Sequence, residues 1–396
     1  MRDELVRGQY LGILEALRSR PDDVKIVTGV RRSGKSTVLK QFKRRLEASG
    51  EDVVMVDAER MRPEISASGG LLEHVRKLMP SSDCCVLLDE AQAAPGWEGA
   101  ARALRDGGAN VIIAGSNGAV LSDVILKDPS IGCSRVHMLP LSFREFLEMN
   151  PPVGEVQTGG RFDQYLAIGG MPSLSPDGPC WARLEDIWSS IAIRDMGPGM
   201  FPESQAMRET SRFLFEHVGT PVTQRDLKGH TGVSSGKTAR KCLDSVTGSF
   251  AFHRIRTVDL TADGTECRRS VYYAADTGLR NCFLGRADTG TDALRNVVFL
   301  ELIRRGYSVS CETYRDYKVD FVAERDGSTE FIQIASGAST ETAKNRIERP
   351  LKLLGSRGNA TVLTMDRDMC GDRGGILYRN IVDFLLEGEY ADTSRT

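Results

Sequence analysis

Between residues 22 and 140, short apolar runs alternate with segments whose apolar residues recur every three or four positions. Val24–Thr28, Val53–Asp57, Cys84–Leu88 and Val111–Ala114 read as strands, and Thr37–Ala48 and Leu71–Met79 read as amphipathic helices between them. Such alternation predicts a parallel sheet with helices on both faces. Within one strand, Cys84 and Cys85 must face opposite ways. Leu5, Ile13, Leu14 and Leu17 predict a short amphipathic helix before the sheet begins.

From Leu141 to about Met200 the pattern is helical and broken, with loops at Pro151–Gly154 and Pro176–Pro179. Ser204–Val218 reads as a helix, Pro221–Arg256 as two short helices joined by a turn, and a basic, β-rich stretch runs on to Tyr273. The last hundred residues form a second α/β pattern. A helix at Asp292–Arg305 is followed by strands at Tyr307–Cys311, Val319–Ala323 and Glu330–Ala335. A helix near Thr340–Leu354, a strand at Ala360–Met365 and a helix at Asn380–Glu387 complete it.

The chain of 396 residues is long enough for two to four domains of roughly 100–200 residues each. Its net charge of −2 exerts no overall pull on nucleic acid or anionic lipid, so any such binding needs a local patch. Nine cysteines include no C-x-x-C pair and no Cys/His group at zinc spacing, which suits reduced thiols. The first residues lack the basic start and apolar block of a secretion signal, and no run reaches the ~20 apolar residues of a membrane span. A cytoplasmic location and no membrane contact are expected.

Gly29-Val30-Arg31-Arg32-Ser33-Gly34-Lys35-Ser36 satisfies G-x-x-x-x-G-K-[ST] between a strand and a helix. Gly29 and Gly34 let the loop wrap closely, so that backbone N–H groups, including those near Arg32 and Ser33, point at phosphate oxygens. The helix opening at Lys35 adds its positive dipole end. Lys35 reaches the β- and γ-phosphates, Ser36 offers its hydroxyl to Mg²⁺, and Thr37 follows. A chance match is the alternative, and the flanking strand and helix weigh against it. ATP and Mg²⁺ are the expected ligands.

Cys84–Leu88 ends in Asp89-Glu90, an apolar strand closed by two carboxylates. Asp89 is placed to hold the Mg²⁺ shell, and Glu90 to polarise the attacking water as general base. These two acids are expected at the tip of a strand adjacent to the loop; two solvated strand-end acids are the plainer reading. Ser116 and Asn117, after the fourth strand, are candidates to sense the γ-phosphate, or simply a turn.

The segments TGVRRSGKST, LLDEAQ, AGSNGAVLS, LPLSFREFL, YLAIGGMP, YYAADTGLRNCFLG and NVVFLELIRRGYSV resemble bacterial and archaeal ATP-binding proteins. Those proteins join an AAA-type ATPase domain to a C-terminal domain of uncharacterised function. The resemblance implies an α/β P-loop core (1–140), a helical lid (141–202), a winged helix (203–285) and a PD-(D/E)xK nuclease-like domain (286–396). It also implies an arginine reaching the γ-phosphate; by position Arg135 and Arg194 are candidates, against the commoner case of a surface ion pair.

Thr223-Gln224-Arg225-Asp226 has the form of a capping box, and the helix-turn-helix before β-rich text itself reads as a winged helix. Between Val222 and Arg256 stand seven Lys/Arg against two Asp, so DNA contact through Lys237, Arg240 and Lys241 is expected, with a protein-contact role as the alternative. A nuclease site of the suspected fold needs two carboxylates and a lysine. Here Asp320 supplies one acid, while Gln333 and Ala335 stand at the second-acid and lysine positions. Arg295 and Lys318 replace the family's glutamates. A degenerate site is expected, with Asp320 paired to Lys318 or Arg295. The activity expected overall is Mg-dependent ATP hydrolysis acting on DNA or a protein partner, with assembly into oligomers possible for this class. Alternatives are an ATP-gated binding module with negligible turnover and an ATP-regulated nuclease.

Overall fold

A computed structural model describes residues 5–20, 22–118, 132–153, 157–196, 205–233, 235–259, 265–314, 317–335, 341–354 and 357–387. The chain forms two compact units, Met1–Leu139 with Gly248–Phe250, and Pro140–Thr247 with Ala251–Ala391.

The first unit runs α1 (Gly8–Arg18), β1 (Asp23–Thr28), α2 (Lys35–Ala48), β2 (Val53–Asp57), α3 (Arg62–Ala67), α4 (Leu71–Leu78), β3 (Cys85–Asp89), α5 (Trp97–Asp106), β4 (Asn110–Gly115) and β5 (Gly132–His137). Its five strands pair in parallel in the order β2-β3-β4-β1-β5. Successive residues of a strand point to opposite faces. Val24, Ile26, Val86, Leu88, Val111 and Ile113 therefore pack against α3, α4 and α5. Val27, Leu87, Ile112 and Ala114 pack instead against α1 and α2. Cys84 and Cys85 join opposite cores, as the alternation requires.

Two features differ from expectation. Strand β5 was not anticipated: it is an edge strand with alternate residues exposed, so its text is barely apolar. The acids of β3 are not on a strand adjacent to the loop, because β4 stands between β1 and β3. Alternation of elements predicts parallel pairing but not strand order.

The second unit continues α6 (Phe143–Met149), α7 (Thr158–Ile168), α8 (Cys180–Arg194), α9 (Gln205–Glu216), β6 (Pro221–Val222), α10 (Gln224–Thr231), α11 (Gly236–Gly248), β7 (Phe252–Asp259), β8 (Thr265–Ala274), α12 (Thr277–Leu284) and α13 (Thr291–Arg304). It closes with β9 (Ser308–Tyr314), β10 (Tyr317–Arg325), β11 (Ser328–Ala335), α14 (Glu341–Leu354), β12 (Asn359–Thr364), β13 (Gly371–Asp372), β14 (Ile376–Asn380) and α15 (Ile381–Leu386). One mixed sheet of nine strands carries it, in the order β13-β14-β12-β11-β10-β9-β7-β8-β6. The β9–β10–β11 meander is antiparallel, and β11, β12 and β14 run parallel. The β7–β8 hairpin is joined to the meander by parallel pairing of β7 with β9. The Thr223–Asp226 capping box forms, with Thr223 Oγ1 accepting from Asp226 N at 3.1 Å and Asp226 Oδ2 accepting from Thr223 N at 2.8 Å.

Two of the quoted motifs meet here. YLAIGGMP ends α7 and YYAADTGLRNCFLG opens α12, and the two lock together through backbone. Asp276 caps α12 by accepting from Leu279 N at 3.0 Å, while its other oxygen accepts from Gly170 N at 2.6 Å. The Asn281 amide donates to Leu166 O and Ala167 O at 3.1 and 3.0 Å. Gly278 allows this approach, since a Cβ there would lie 1.9 Å from Ile168 O. Gly278→Ala is expected to destabilise the chain by about 2 kcal/mol or more, because the obstacle is backbone and cannot swing away. Urea denaturation measures it.

Burial pushes the Asp276 carboxyl up to about 6 from an ordinary 3.8, against the opposing pull of the N–H groups of Gly170, Leu279 and Gly278. The folded chain thus holds this proton more tightly than the unfolded chain. The resulting stability is full below the unfolded value of 3.8 and is lost as pH rises through about 6. Unfolding free energies of the parent and of Asp276→Asn, measured from pH 4 to pH 7, are expected to diverge with the parent losing about 2–3 kcal/mol relative to the variant.

Candidate functional site

The loop after β1 is shaped by three residues with positive φ: Gly29 at 147°, Arg32 at 66° and Gly34 at 105°. At Gly29 any side chain is excluded, since a Cβ would lie 2.1 Å from Met138 O. Helix α2 then starts at Lys35 with no side chain capping its N-terminus. Its first N–H groups and dipole thus remain available to an anion. Lys35 is buried, and its Nζ donates to Gly29 O at 2.8 Å and Val30 O at 3.0 Å. The ammonium is thereby held across the loop. Ser33 is fully buried, and its Oγ has no hydrogen-bond partner among the described residues. Ser36 and Thr37 follow in the first turn, half-buried, and Arg32 is exposed.

Asp89, at the end of β3, is 2% exposed. The Ser36 side chain steadies the charge of its carboxylate, while its Oδ1 is buried with no partner among the described residues. Burial pushes this carboxyl up to about 6 from 3.8; Glu90 and Asp57 push the same way, and Ser36 and Lys35 oppose them. A buried acid against the loop serine, with one oxygen left over, fits a site for a divalent cation carried by phosphates. Asp57, opposite Asp89 in the β2–β3 register, is a second nearby acid that no motif announced.

Glu90 adopts a left-handed backbone, φ 47° and ψ 43°. For a non-glycine residue this conformation costs on the order of 1–3 kcal/mol and must be over-determined by its surroundings. Those surroundings are Ser116 and Gln92. Glu90 Oε2 accepts from Ser116 Oγ at 2.9 Å, from Ser116 N at 3.3 Å and from Gln92 Nε2 at 2.6 Å. The Arg31 guanidinium is 3.9 Å from the same oxygen and 3.2 Å from Glu59. Ser116 therefore lies against Glu90, and Asn117 follows half-buried.

The loop is also braced from behind. Arg7, 3% exposed, donates from one Nη1 to Ser33 O at 3.1 Å and to Leu139 O at 2.8 Å. It stacks 4.6 Å from the Tyr10 ring, and the Tyr10 hydroxyl accepts from Leu139 N at 3.0 Å. Nothing in the sequence marks Arg7 or Tyr10, since their partners lie in segments far away along the chain.

The other candidates are dispersed. Arg135 is an exposed residue of β5 that hydrogen-bonds Cys133, and Arg194 ends α8 in the second unit, exposed. Lys237, Arg240 and Lys241 project from the exposed face of α11, whose other face buries Ala239, Cys242, Leu243 and Val246. Asp320 is buried between two cations, with Arg295 Nε at 3.0 Å and Lys318 Nζ at 3.5 Å. Its Oδ2 accepts from Ile334 N at 3.0 Å, and the Gln333 side chain turns back to accept from Asp320 N at 3.2 Å. Ala335 contributes no polar atom. Both pairings expected for Asp320 occur together, so its charge is already balanced. No described helix is long and apolar enough to cross a membrane.

A five-stranded parallel sheet that feeds a glycine-bounded loop into a buried lysine fits a P-loop unit of the AAA type. Residues 21–147 match the family model of an AAA domain, and residues 159–290 match that of a domain of unknown function (DUF8612). The chain is 28% identical over 330 residues to an uncharacterized protein of Haemophilus influenzae, covering 79% of this chain and 82% of that one. It is 24% identical over 356 residues to an uncharacterized protein of Methanocaldococcus jannaschii, covering 82% and 77% respectively. An AAA domain implies nucleotide binding.

Proposed function

We propose that the chain binds Mg-ATP at Gly29–Thr37 and hydrolyses it. The observation that carries this reading is the buried Asp89 carboxylate steadied by the Ser36 side chain, beside an Asp89 oxygen and a Ser33 hydroxyl that have no partners among the described residues. Gly29, Gly34 and the N-terminus of α2 cradle the phosphates, Lys35 neutralises their charge, and Ser36 and Asp89 hold the cation shell. Mg²⁺, which Ser36 and Asp89 would hold, would supply positive charge to offset that of the phosphates. Glu90 takes the proton of the attacking water, Ser116 orients that carboxylate, and Arg31, Arg135 or Arg194 completes the charge balance. Phosphate release measured across protein concentrations and candidate nucleic acids tests turnover, assembly and stimulation together; no release above background under any of these conditions would refute hydrolysis.

We read the order α9-β6-α10-α11-β7-β8 as a winged helix, and α13 with β9–β11, α14 and β12 as a PD-(D/E)xK-like unit. We take the latter as non-cutting, given the neutralised Asp320 and the missing lysine. The exposed Lys237, Arg240 and Lys241 are read as meeting nucleic-acid phosphates. A second reading, ATP-gated binding with negligible turnover, is favoured by the hydrogen bonds that already occupy Glu90 Oε2.

A further inference from the structure

The basic stretch between Val222 and Arg256 is not spread evenly in space. Arg225 at the start of α10, Arg240 on α11 and Arg254 on β7 surround one hollow of about 560 Å³. Its floor is apolar, formed by the buried Phe213, Leu227 and Leu243, and one wall carries Ser270 and Tyr272. Arg254 is aimed by that wall: its Nε donates to Ser270 Oγ at 2.9 Å, next to the buried Tyr272.

The three guanidinium groups are poorly compensated. Arg240 faces Asp244 only at 3.9 Å, with both side chains mostly exposed. Arg225 makes no ion pair among the described residues. Its neighbour Asp226 is committed to Thr223, accepting from both its N and its Oγ1 at 2.8 Å. Three cations against the single carboxylate of Asp244 leave the lining of the hollow net positive, and an anion between the arginines removes their mutual repulsion. Guanidinium forks match phosphate oxygens two at a time. The hollow is too large for a phosphate alone, falls within the roughly 300–1,000 Å³ of small-molecule sites, and its apolar floor suits a flat ring.

We propose that this cavity binds a nucleoside phosphate, either free or as an unpaired residue of single-stranded nucleic acid. The phosphate lies among Arg225, Arg240 and Arg254, and the base rests on the apolar floor beside Leu243. This site is separate from the loop at Gly29–Ser36 and does not depend on hydrolysis there.

The test uses the full chain carrying Lys35→Ala, so that the phosphate loop does not contribute. Binding of a fluorescein-labelled twelve-residue oligothymidylate is followed by anisotropy at low salt, and binding of AMP by calorimetry. One ligand is expected to bind. Oligonucleotide binding that millimolar AMP does not displace identifies nucleic acid as the source; AMP binding without the oligonucleotide identifies the free nucleotide. In either case Arg225→Gln and Arg254→Gln should each weaken binding about tenfold, equivalent to about 1.4 kcal/mol. For the oligonucleotide each should also lower the salt slope by about 0.7, the single-strand value per phosphate. Lys77→Glu, a charge change on an exposed face of the first unit, should leave affinity within about twofold. Lys237→Glu reports on the outer face of α11 separately. The proposal is overturned if neither ligand binds, or if both arginine variants, folded by circular dichroism and thermal melting, bind as tightly as their parent.

Discussion

Glu90→Gln is expected to bind ATP within a few-fold of the parent and to release phosphate about 100- to 10,000-fold more slowly, the range supplied by a general base. Glutamine keeps the size of the side chain and an oxygen that can accept from Ser116 Oγ, now 2.9 Å from Glu90 Oε2. The tight turn at Glu90 should therefore survive, and only basicity is removed. Fluorescent-nucleotide titration and steady-state phosphate release separate the two effects. Turnover equal to that of the parent would remove Glu90 from the reaction and leave the gated-binding reading in its place.

Lys35→Ala is expected to weaken ATP binding about 100-fold or more, since charge-assisted hydrogen bonds contribute about 1.5–3 kcal/mol each. The lysine acts twice. Its ammonium is the buried cation facing the phosphates, and its bonds to Gly29 O and Val30 O hold the loop in shape. Saturating ATP should raise the melting temperature of the parent, because a ligand that binds only the folded state stabilises it by mass action. The variant should show almost none of that rise at the same ATP concentration. An equal rise in both proteins would mean that nucleotide is held elsewhere.

How far the sequence was legible depended on the range of the interactions involved. Four strands of the first sheet were visible because buried parallel strands are written as unbroken apolar runs. Strand β5 was not, because an edge strand pairs on one side only and keeps Arg135 and other polar residues exposed. The loop could be read because all its chemistry is local. The bond between Ser116 and Glu90 could not, since 26 residues separate them and only the order of β3 and β4 brings them together. The same holds for Arg7, whose partner Leu139 lies 132 residues away. In the second unit the meander and most helices were legible, while α12, β13 and β14 were not. The short strand β13 has almost no apolar content, and β14 runs directly into the helix capped by Asn380.

The parallel seam between β7 and β9 has a practical meaning. A shortened chain ending at Gly285 would keep the hairpin yet strip Thr257–Asp259 of the partner strand contributed by Cys311–Thr313. Its exposed rung of amides and carbonyls would invite pairing with another chain, the usual start of fibrous or amorphous association. The mirror-image fragment, beginning at Arg286, would carry the same open seam. Halves divided at that point are thus natural candidates for recombination in trans, each offering the other the edge it lacks.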